Sequence, residues 1–275
     1  MISVQTNVSS LETQKALNKT QSKLGQNFTR LSSGFRINTA ADDAAGLAIS
    51  ENMKMQIRSY TVAERNSNDA LSMTQTAESM LGEMSDILGR MRELAMQGAN
   101  GSMTDTDRSY LDTEFSALKL EIQRMQQSSK FNGKQLLSST ASSITFQIGL
   151  NNTASDQITL TFGGLALTNL LDTTNNLAGS TAGNSLAALG RIDAALTTVS
   201  TNRAKYGATM NRLEVAVSSI QTMRLNLASA NSRIRDVDVA EETAALSRNQ
   251  ILSQAGVSVL AQANQLPQLA LSLLK

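Results

Sequence analysis

Residues 189–227 read LGRIDAALTTVSTNRAKYGATMNRLEVAVSSIQTMRLNL, and one set of positions recurs in this stretch at alternating steps of three and four residues. These positions are Leu189, Ile192, Leu196, Val199, Arg203, Tyr206, Met210, Leu213, Val217, Ile220, Arg224 and Leu227. Only Arg203 and Arg224 interrupt the apolar stripe. A repeat held over about five heptads predicts a helix whose narrow apolar face packs against other helices. At about 1.5 Å per residue the helix would be about 58 Å long, so it needs partner helices of similar length.

Two segments earlier in the chain provide such partners. The first runs from Ala44 to Ala99 and carries the stripe Met73, Ala77, Met80, Met84, Ile87, Met91 and Leu94. The second starts near Thr104 or Asp105 and places Leu111, Phe115, Leu118, Ile122 and Met125 on one side. Together with residues 189–227 they predict a three-helix bundle. Its predicted core consists of Met80, Met84, Ile87, Met91, Leu118, Ile122, Leu196, Met210, Leu213, Val217 and Ile220.

Between Ala141 and Gly164 the apolar period changes to two. Ile144, Phe146 and Ile148 alternate with polar residues, as do Ile158, Leu160 and Phe162. This pattern predicts one β-hairpin, which should lie on the bundle because two strands alone are marginally stable. The Thr-, Asn- and Gly-rich residues from Leu165 to Asn184 are expected to form a short surface connection.

Both ends of the chain carry a further heptad-spaced helix. The positions are Leu17, Leu24 and Leu31 near the N-terminus, and Leu252, Val259, Leu266 and Leu273 near the C-terminus. We expect these two helices to pair with each other. A two-helix pair buries only one narrow stripe, which is too little for independent stability. The pattern therefore indicates self-association into a polymer, with Val259 buried only in that polymer.

Composition excludes several classes of function. The 275 residues contain no cysteine and no histidine, which removes thiol nucleophiles, imidazole bases and the usual zinc and haem ligands. We therefore expect neither an enzyme nor a cofactor. A formal net charge of +1 gives no global attraction to nucleic acid or to an anionic membrane. Adjacent carboxylates such as Asp42 and Asp43 could suggest acid chemistry or a metal site, but their place before a predicted helix favours a role at its N-terminus.

The patterns divide the chain into five segments. Residues 1–33 and 231–275 contain the terminal helices, and the second of these segments begins with a polar hinge. Residues 34–140 contain a hinge and the first two bundle helices, residues 141–184 contain the hairpin and the surface segment, and residues 185–230 contain the third bundle helix.

Several motifs are similar to those of a known family. Residues 31–38, LSSGFRIN, followed by residues 42–49, DDAAGLAI, resemble the N-terminal signature of bacterial flagellins. Residues 90–101, RMRELAMQGANG, and the FNG triplet at 131–133 resemble further family signatures. Residues 233–242, 262–268 and 271–275 match the far end of the family pattern. The resemblance covers nearly the whole chain.

The resemblance implies a mainly α fold, with an inner two-helix coiled coil, an outer three-helix bundle and one β-hairpin packed on the bundle. The implied function is a structural subunit that self-assembles into the extracellular flagellar filament for motility. The implied partners are other copies of the chain and sister flagellins, an export chaperone on Leu252 to Leu274, the filament cap and hook-junction proteins. Export would use the flagellar type III apparatus.

The resemblance also leaves two alternatives open. A hook–filament junction protein shares the paired terminal helices and the bundle, but it does not form long filaments alone. In the family an animal Toll-like innate receptor recognises a bundle surface, whose matching positions here are Arg90, Leu94 and Glu114. Packing between subunits is the competing explanation for those positions.

Overall fold

A computed structural model of the chain describes residues 6–179 and 182–273, and it describes side chains as far as residue 265. Six α-helices and two small antiparallel sheets are found in these ranges. The helices are α1 Val8–Ser33, α2 Ala44–Gly98, α3 Asp105–Ser128, α4 Thr168–Leu171, α5 Gly183–Arg235 and α6 Val239–Leu273. The strands are β1 Lys130–Phe131, β2 Lys134–Gln135, β3 Ser142–Gln147 and β4 Gln157–Phe162. The predicted mainly α fold is confirmed.

The chain forms two compact units. The central unit is Arg58–Arg224, and the terminal unit combines Met1–Ile57 with Leu225–Lys275. The boundary lies within α2 and α5, because each of these helices contributes residues to both units. The five segments predicted from the sequence change at turns and hinges, and this division of the chain stays a prediction.

The central unit contains the apolar core. Its buried residues come from α2, α3, α5, the β3–β4 hairpin and the segment that follows the hairpin. The largest fully buried side chains of this unit include Leu81, Met84, Leu88, Met91, Leu94, Phe115, Ile122 and Phe162. Strands β3 and β4 pair from Ser142↔Phe162 to Gln147↔Gln157. Phe162 at the end of β4 lies with its ring centroid 5.6 Å from that of Tyr206 on α5, so the hairpin packs on the bundle as predicted.

The α2 core stripe differs in detail from the predicted one. Met84 and Met91 are fully buried, whereas Met80 and Ile87 are only partly buried and Leu81 and Leu88 take the fully buried positions. A straight helix of 3.6 residues per turn drifts by about 20° per heptad relative to a strict seven-residue repeat. Because α2 also packs against more than one neighbour, its apolar face is wider than one stripe. Met80 and Ile87 pack against the core, and the adjacent Leu81 and Leu88 are more deeply buried.

The other predicted core positions lie in the bundle at different depths. Ile122, Leu213 and Ile220 are buried, whereas Leu118, Leu196, Met210 and Val217 are partly buried.

The two arginines that interrupt the α5 stripe form ion pairs with α2. Arg203 contacts Glu78 with an Nη2–Oε1 distance of 2.7 Å, and Arg224 pairs with Glu64. All four side chains keep some exposure, so each pair contributes at most about 1 kcal/mol. The pairs fix the register of the two helices more than they add to stability.

The segment after the hairpin is not the surface connection that the sequence predicted. Leu165, Leu167, Leu170 and Leu177 are each at most 2% exposed, and Leu170 belongs to α4. Lys119 of α3 holds this segment by donating hydrogen bonds to backbone carbonyls at 3.0 and 3.1 Å. The segment is rich in Thr, Asn and Gly, which is typical of a surface loop, but four of its leucines complete the core of the central unit.

The turns on either side of α3 contain residues that favour their observed geometry. Thr104 and Asp107 form a reciprocal capping box at the start of α3, and Asp107 has a lowered pKa because it accepts hydrogen bonds from the Thr104 hydroxyl and amide. Asn132 and Gly133 both have positive φ, at 47° and 79°, which is the geometry of a two-residue hairpin turn. Strands β1 and β2 flank that turn and form a second, very short sheet.

Replacing Leu88 by alanine is expected to lower the unfolding free energy of the central unit by about 3 kcal/mol. Leu88 is fully buried, so the substitution removes apolar contacts and leaves a cavity. The matched control is Leu120→Ala on α3, where the side chain is 64% exposed and a change within about 0.5 kcal/mol is expected. Urea denaturation of the monomer, followed by circular dichroism, measures both. Equal effects of the two substitutions would contradict this assignment of the core.

Candidate assembly surface

The terminal unit is built on two paired helices. Asn7 Nδ2 donates to the Ala263 carbonyl at 2.7 Å, and Ser10 Oγ donates to Asn264 Oδ1 at 2.8 Å. At the other end of α1, Asn27 Oδ1 accepts a hydrogen bond from Asn249 Nδ2 at 2.9 Å. Because residues late in α6 meet the start of α1 and earlier ones meet its end, the two helices run antiparallel. The heptad patterns at the two termini predicted their pairing but not its direction.

Much of the contact between α1 and α6 is polar. Asn27 Nδ2 donates to Glu242, whose side chain is 10% exposed, and Arg30 lies 3.8 Å from both Glu242 and Asp42. Ser10 and Asn27 are themselves buried. A buried hydrogen bond contributes only about 1 kcal/mol net, so this pairing specifies the register of the helices with little gain in stability.

The terminal unit has almost no apolar core. Among its described side chains, the only buried apolar ones are Ile37 and Ala263. Burying a large aliphatic side chain stabilises by about 1.5–3 kcal/mol, and few such residues contribute here. The terminal unit is therefore only weakly stabilised by its own contacts.

Large apolar side chains of α1 and α6 instead face solvent. Each of the following is between 51% and 66% exposed: Val8, Leu11, Phe28, Val239, Ile251, Leu252, Val257 and Val259. Exposed apolar surface beyond scattered single residues indicates an interaction site. On α6 this surface is not restricted to one side, since successive residues of a helix differ by about 100° and both Ile251 and Leu252 are exposed.

An open groove of about 480 Å³ lies between the two helices. Its α6 wall consists of Leu252, Ala255, Gly256 and Val259. Its α1 wall consists of Ser9, Glu12, Thr13, Ala16, Leu17 and Thr20. A Cβ added at Gly256 would lie 3.3 Å from Leu17 Cδ1, so this glycine allows the two helices to approach closely. We call this surface, with the exposed apolar residues around it, the assembly groove.

The linker that follows α1 and the linker that precedes α6, both predicted to be hinges, lie at the same end of the helix pair and contact one another. Gly34, with φ of 74°, ends α1 in the left-handed conformation, and Phe35 pairs with Asp236 in an isolated antiparallel bridge. Arg36 N donates to the Arg235 carbonyl at 2.6 Å, and the Arg235 guanidinium lies 4.6 Å from the centroid of the Phe35 ring. The two connections are therefore held together by backbone hydrogen bonds.

The acidic pair that precedes α2 is used for local structure. Asp43 Oδ1 accepts a hydrogen bond from Gly46 N at 2.8 Å, as expected at a helix N-terminus. Asp42 has a lowered pKa, first because it accepts the backbone N–H of Thr39 and then because it accepts the Thr39 hydroxyl. Its contribution to the turn is present above the ordinary value of 3.8 and is lost as the pH falls through the lower folded value. No cluster of three metal-ligand side chains occurs among the described residues.

The predicted inner-tube residues fall into three groups. Leu17, Leu24 and Leu31 on α1 are partly buried, whereas Leu252 and Val259 on α6 are both 51% exposed. The side chains of Leu266 and Leu273 lie outside the described residues. The sequence missed Ile251 and Val257, which widen the apolar surface, because they fall between the heptad positions. The adjacent apolar residues at 251–252 indicated that the apolar surface of α6 is wider than one heptad stripe.

The three positions matched to receptor binding do not form one exposed surface. Arg90 pairs with Glu114 at 2.8 Å, and both side chains are about half exposed. The pKa of Arg90 is raised, first by its hydrogen bond to Glu114 and then by that to Glu93. Leu94, however, is 2% exposed and belongs to the bundle core. Its burial agrees with its place in the apolar stripe predicted for α2, and its assignment to a receptor surface stays a prediction.

Over the described part of the chain, no helix is both long and apolar enough to cross a membrane.

Comparison with known proteins identifies the family. Residues 4–142 match the family model described as the bacterial flagellin N-terminal helical region, and residues 189–274 match the bacterial flagellin C-terminal helical region. The chain is 39% identical to a flagellin of Bacillus subtilis and 39% identical to the flagellar filament 33 kDa core protein of Treponema phagedenis. Each alignment covers 98% of both chains.

A solved structure shares the fold. The structure of a putative flagellar hook-associated protein from Vibrio parahaemolyticus has a TM-score of 0.61 with 16% identity, covering 71% of this chain and all of that one. This likeness shows the fold alone. The two family models together span most of the sequence, and the curated relatives align from end to end. The chain therefore belongs to the bacterial flagellin family.

Proposed function

We infer that this chain is a subunit of a bacterial flagellar filament, located outside the cell and serving motility. It is a structural protein and not an enzyme. The observation that carries this conclusion is the assembly groove, in a chain whose full-length relatives are flagellins and a filament core protein. A helix pair with almost no apolar core of its own and a broad exposed apolar surface is stabilised by other copies of itself.

The distribution of the exposed apolar residues favours contacts on several sides. Ile251 and Leu252 differ by about 100° around α6, and Leu11 and Phe28 lie near opposite ends of α1. A closed dimer would cover one face only, whereas a helical lattice surrounds each subunit with neighbours. We assign Leu17, Leu24, Leu31, Leu252, Val259, Leu266 and Leu273 to the packing of an inner tube, with the central unit forming the outer layer.

The junction-protein alternative is not favoured. The relatives that align over 98% of both chains at 39% identity are named as a flagellin and a filament core protein. The hook-associated structure is only 16% identical and shares the fold without indicating the role.

Other partners belong to the same proposal. An export chaperone covers the segment Leu252 to Leu274 before passage through the flagellar type III apparatus, which is supported by the exposed side chains of Leu252, Val257 and Val259. The filament cap and the hook-junction proteins contact the two ends of the polymer. For a Toll-like receptor, Arg90 and Glu114 remain the accessible part of the matched surface. Sister flagellins take the same positions in the filament as copies of this chain.

Seeded growth tests the function. Purified monomer, mixed with short fragments of its own filaments, is expected to extend them into long filaments in negative-stain electron micrographs. Persistent monomer, or short closed assemblies under conditions in which the seeds stay intact, would contradict the role as a filament subunit.

A further inference from the structure

A second groove, on the central unit, is different in chemistry from the assembly groove. It has a volume of about 640 Å³ and lies between the C-terminal part of α3, strand β2, residues 138–140 and α4. Sites for small ligands typically enclose about 300–1,000 Å³, so the space suits a ligand of one or two rings. We call it the glutamine groove.

Most of the residues that line it are polar and uncharged, although Leu171 and the methylene and methyl groups of the other side chains also give it apolar surface. The side chains are those of Gln123, Gln126, Gln127, Gln135, Ser138, Ser139, Thr140, Thr168, Leu171 and Asp172. Leu171 is the only aliphatic residue, Asp172 is the only ionisable one, and no lysine or arginine lines the groove. Amide and hydroxyl groups each offer both hydrogen-bond donors and acceptors.

Some side chains of this lining make hydrogen bonds within the protein that fix the shape of the groove. Gln126 Nε2 donates to the Leu165 carbonyl at 2.8 Å, and Gln135 Nε2 donates to the Gln126 carbonyl at 2.9 Å. Ser138 Oγ donates to the Thr140 carbonyl. These bonds join α3, β2 and the chain around the hairpin, so the wall is preorganised.

The other side chains of the lining have hydrogen-bonding groups that are available to a ligand. The side chains of Gln123, Gln127, Ser139 and Thr168 are exposed and make no hydrogen bond within the described structure. Asp172 accepts the Thr174 N–H at 2.8 Å through Oδ1, and this hydrogen bond lowers its pKa. The carboxylate is therefore ionised at neutral pH and supplies an acceptor at the end of the groove.

We propose that the glutamine groove binds a neutral carbohydrate. Vicinal hydroxyl groups donate and accept hydrogen bonds at the spacing that planar amide and carboxylate groups present. An anionic ligand is disfavoured, because the only charge in the lining is negative. A peptide is also disfavoured. Leu171 is the only aliphatic side chain that an apolar peptide residue could contact, whereas grooves that bind peptides have apolar pockets or an unpaired strand edge.

The lining also determines the strength of binding. No aromatic side chain provides a stacking surface, and exposed polar groups must give up bound water, so a single site binds in the millimolar range, at about 1 mM or weaker. Repetition of the groove along a polymer would raise the overall avidity without new contacts. That gain rests on the proposed filament function, whereas binding by one subunit does not.

The test uses the full-length monomer, so its outcome is independent of polymerisation. Cellobiose, lactose and N,N′-diacetylchitobiose are titrated separately to about 50 mM, and ¹H–¹⁵N NMR follows the side-chain amides of Gln123 and Gln127 and the backbone amides of Ser139 and Thr168. A saturable shift at these groups with at least one disaccharide is expected. The double variant Gln123→Ala, Gln127→Ala is expected to bind that disaccharide at least about tenfold more weakly.

The matched control is Gln75→Ala, Gln97→Ala, which removes two exposed glutamines from α2 in the same unit. It is expected to bind like the natural chain. The proposal is overturned if none of the three disaccharides gives a saturable shift, or if the two double variants bind the disaccharide equally tightly. It is also overturned if sialyllactose binds as tightly as lactose, because Asp172 should repel the added carboxylate, or if a neutral peptide shifts these resonances and no sugar does.

Discussion

Val259→Asp is expected to abolish seeded filament growth while changing the melting temperature of the monomer by no more than a few degrees. Val259 lines the assembly groove and is 51% exposed in the single subunit, so an aspartate there keeps its water and disturbs little. In the polymer the same side chain would be buried among apolar neighbours. An unpaired buried charge costs several kcal/mol, and each 1.4 kcal/mol weakens association about tenfold.

Two variants control for the added charge and for the altered side chain. Ser258→Asp places the same charge on the neighbouring exposed residue, outside the groove, and should allow growth. Val259→Ile keeps an apolar side chain and should do the same. Growth is scored by electron microscopy, and monomer stability by calorimetry. Normal filaments from Val259→Asp would refute the role of the groove, and a large fall in the monomer melting temperature would mean that this position is already packed.

Deletion of Gln262 to Lys275 is expected to leave a folded, soluble central unit that does not polymerise. The apolar core of that unit draws its residues from Ala70 to Leu213, far from the deleted segment in sequence. The deletion removes Ala263, which is buried against α1, together with the hydrogen bonds from Asn7 and Ser10. It also shortens the apolar surface of α6.

The control for this deletion keeps the helix at full length. Gln262→Ala, Gln265→Ala changes two exposed polar residues of the same segment and should permit growth, because alanine favours helix and leaves the apolar residues in place. The unfolding transition of the central unit, measured in urea, should be the same in all three proteins. Filaments formed by the truncated chain would show that the C-terminal segment is not needed for assembly.

Periodicity in the sequence was sufficient to predict the long helices and their partners. The stripes on α2 and α5 predicted the bundle, and the change to a period of two at residues 144–148 predicted β3. An Asn–Gly pair such as Asn132–Gly133 favours a two-residue hairpin turn, and the structure has one there between β1 and β2. These signals are local, so they can be recognised in a single sequence.

Other features depend on which neighbours a helix meets, and they were not predictable in this way. Leu81 and Leu88 are more deeply buried than Met80 and Ile87, because α2 contacts several elements at once. The buried Leu165 and Leu177 lie in a segment whose composition is typical of loops.

The assembly groove was predicted in part. The heptad positions Leu252 and Val259 indicated an apolar face on α6, but the polar contacts of Asn27 with Glu242 and Asn249 had no signature in the pattern. Those contacts use part of the interface between α1 and α6 for hydrogen bonds. This leaves the larger apolar side chains to face outward, which is the property that the proposed assembly requires.

Amide hydrogen exchange, compared between monomer and filament, tests the central claim most directly. The account predicts that amides of α1 and α6 exchange quickly in the monomer, because the terminal unit has almost no apolar core, and slowly in the filament. Amides in the buried part of the central unit should exchange slowly in both states. Exchange of α1 and α6 in the monomer as slow as that of the central unit would contradict the claim that assembly stabilises these helices.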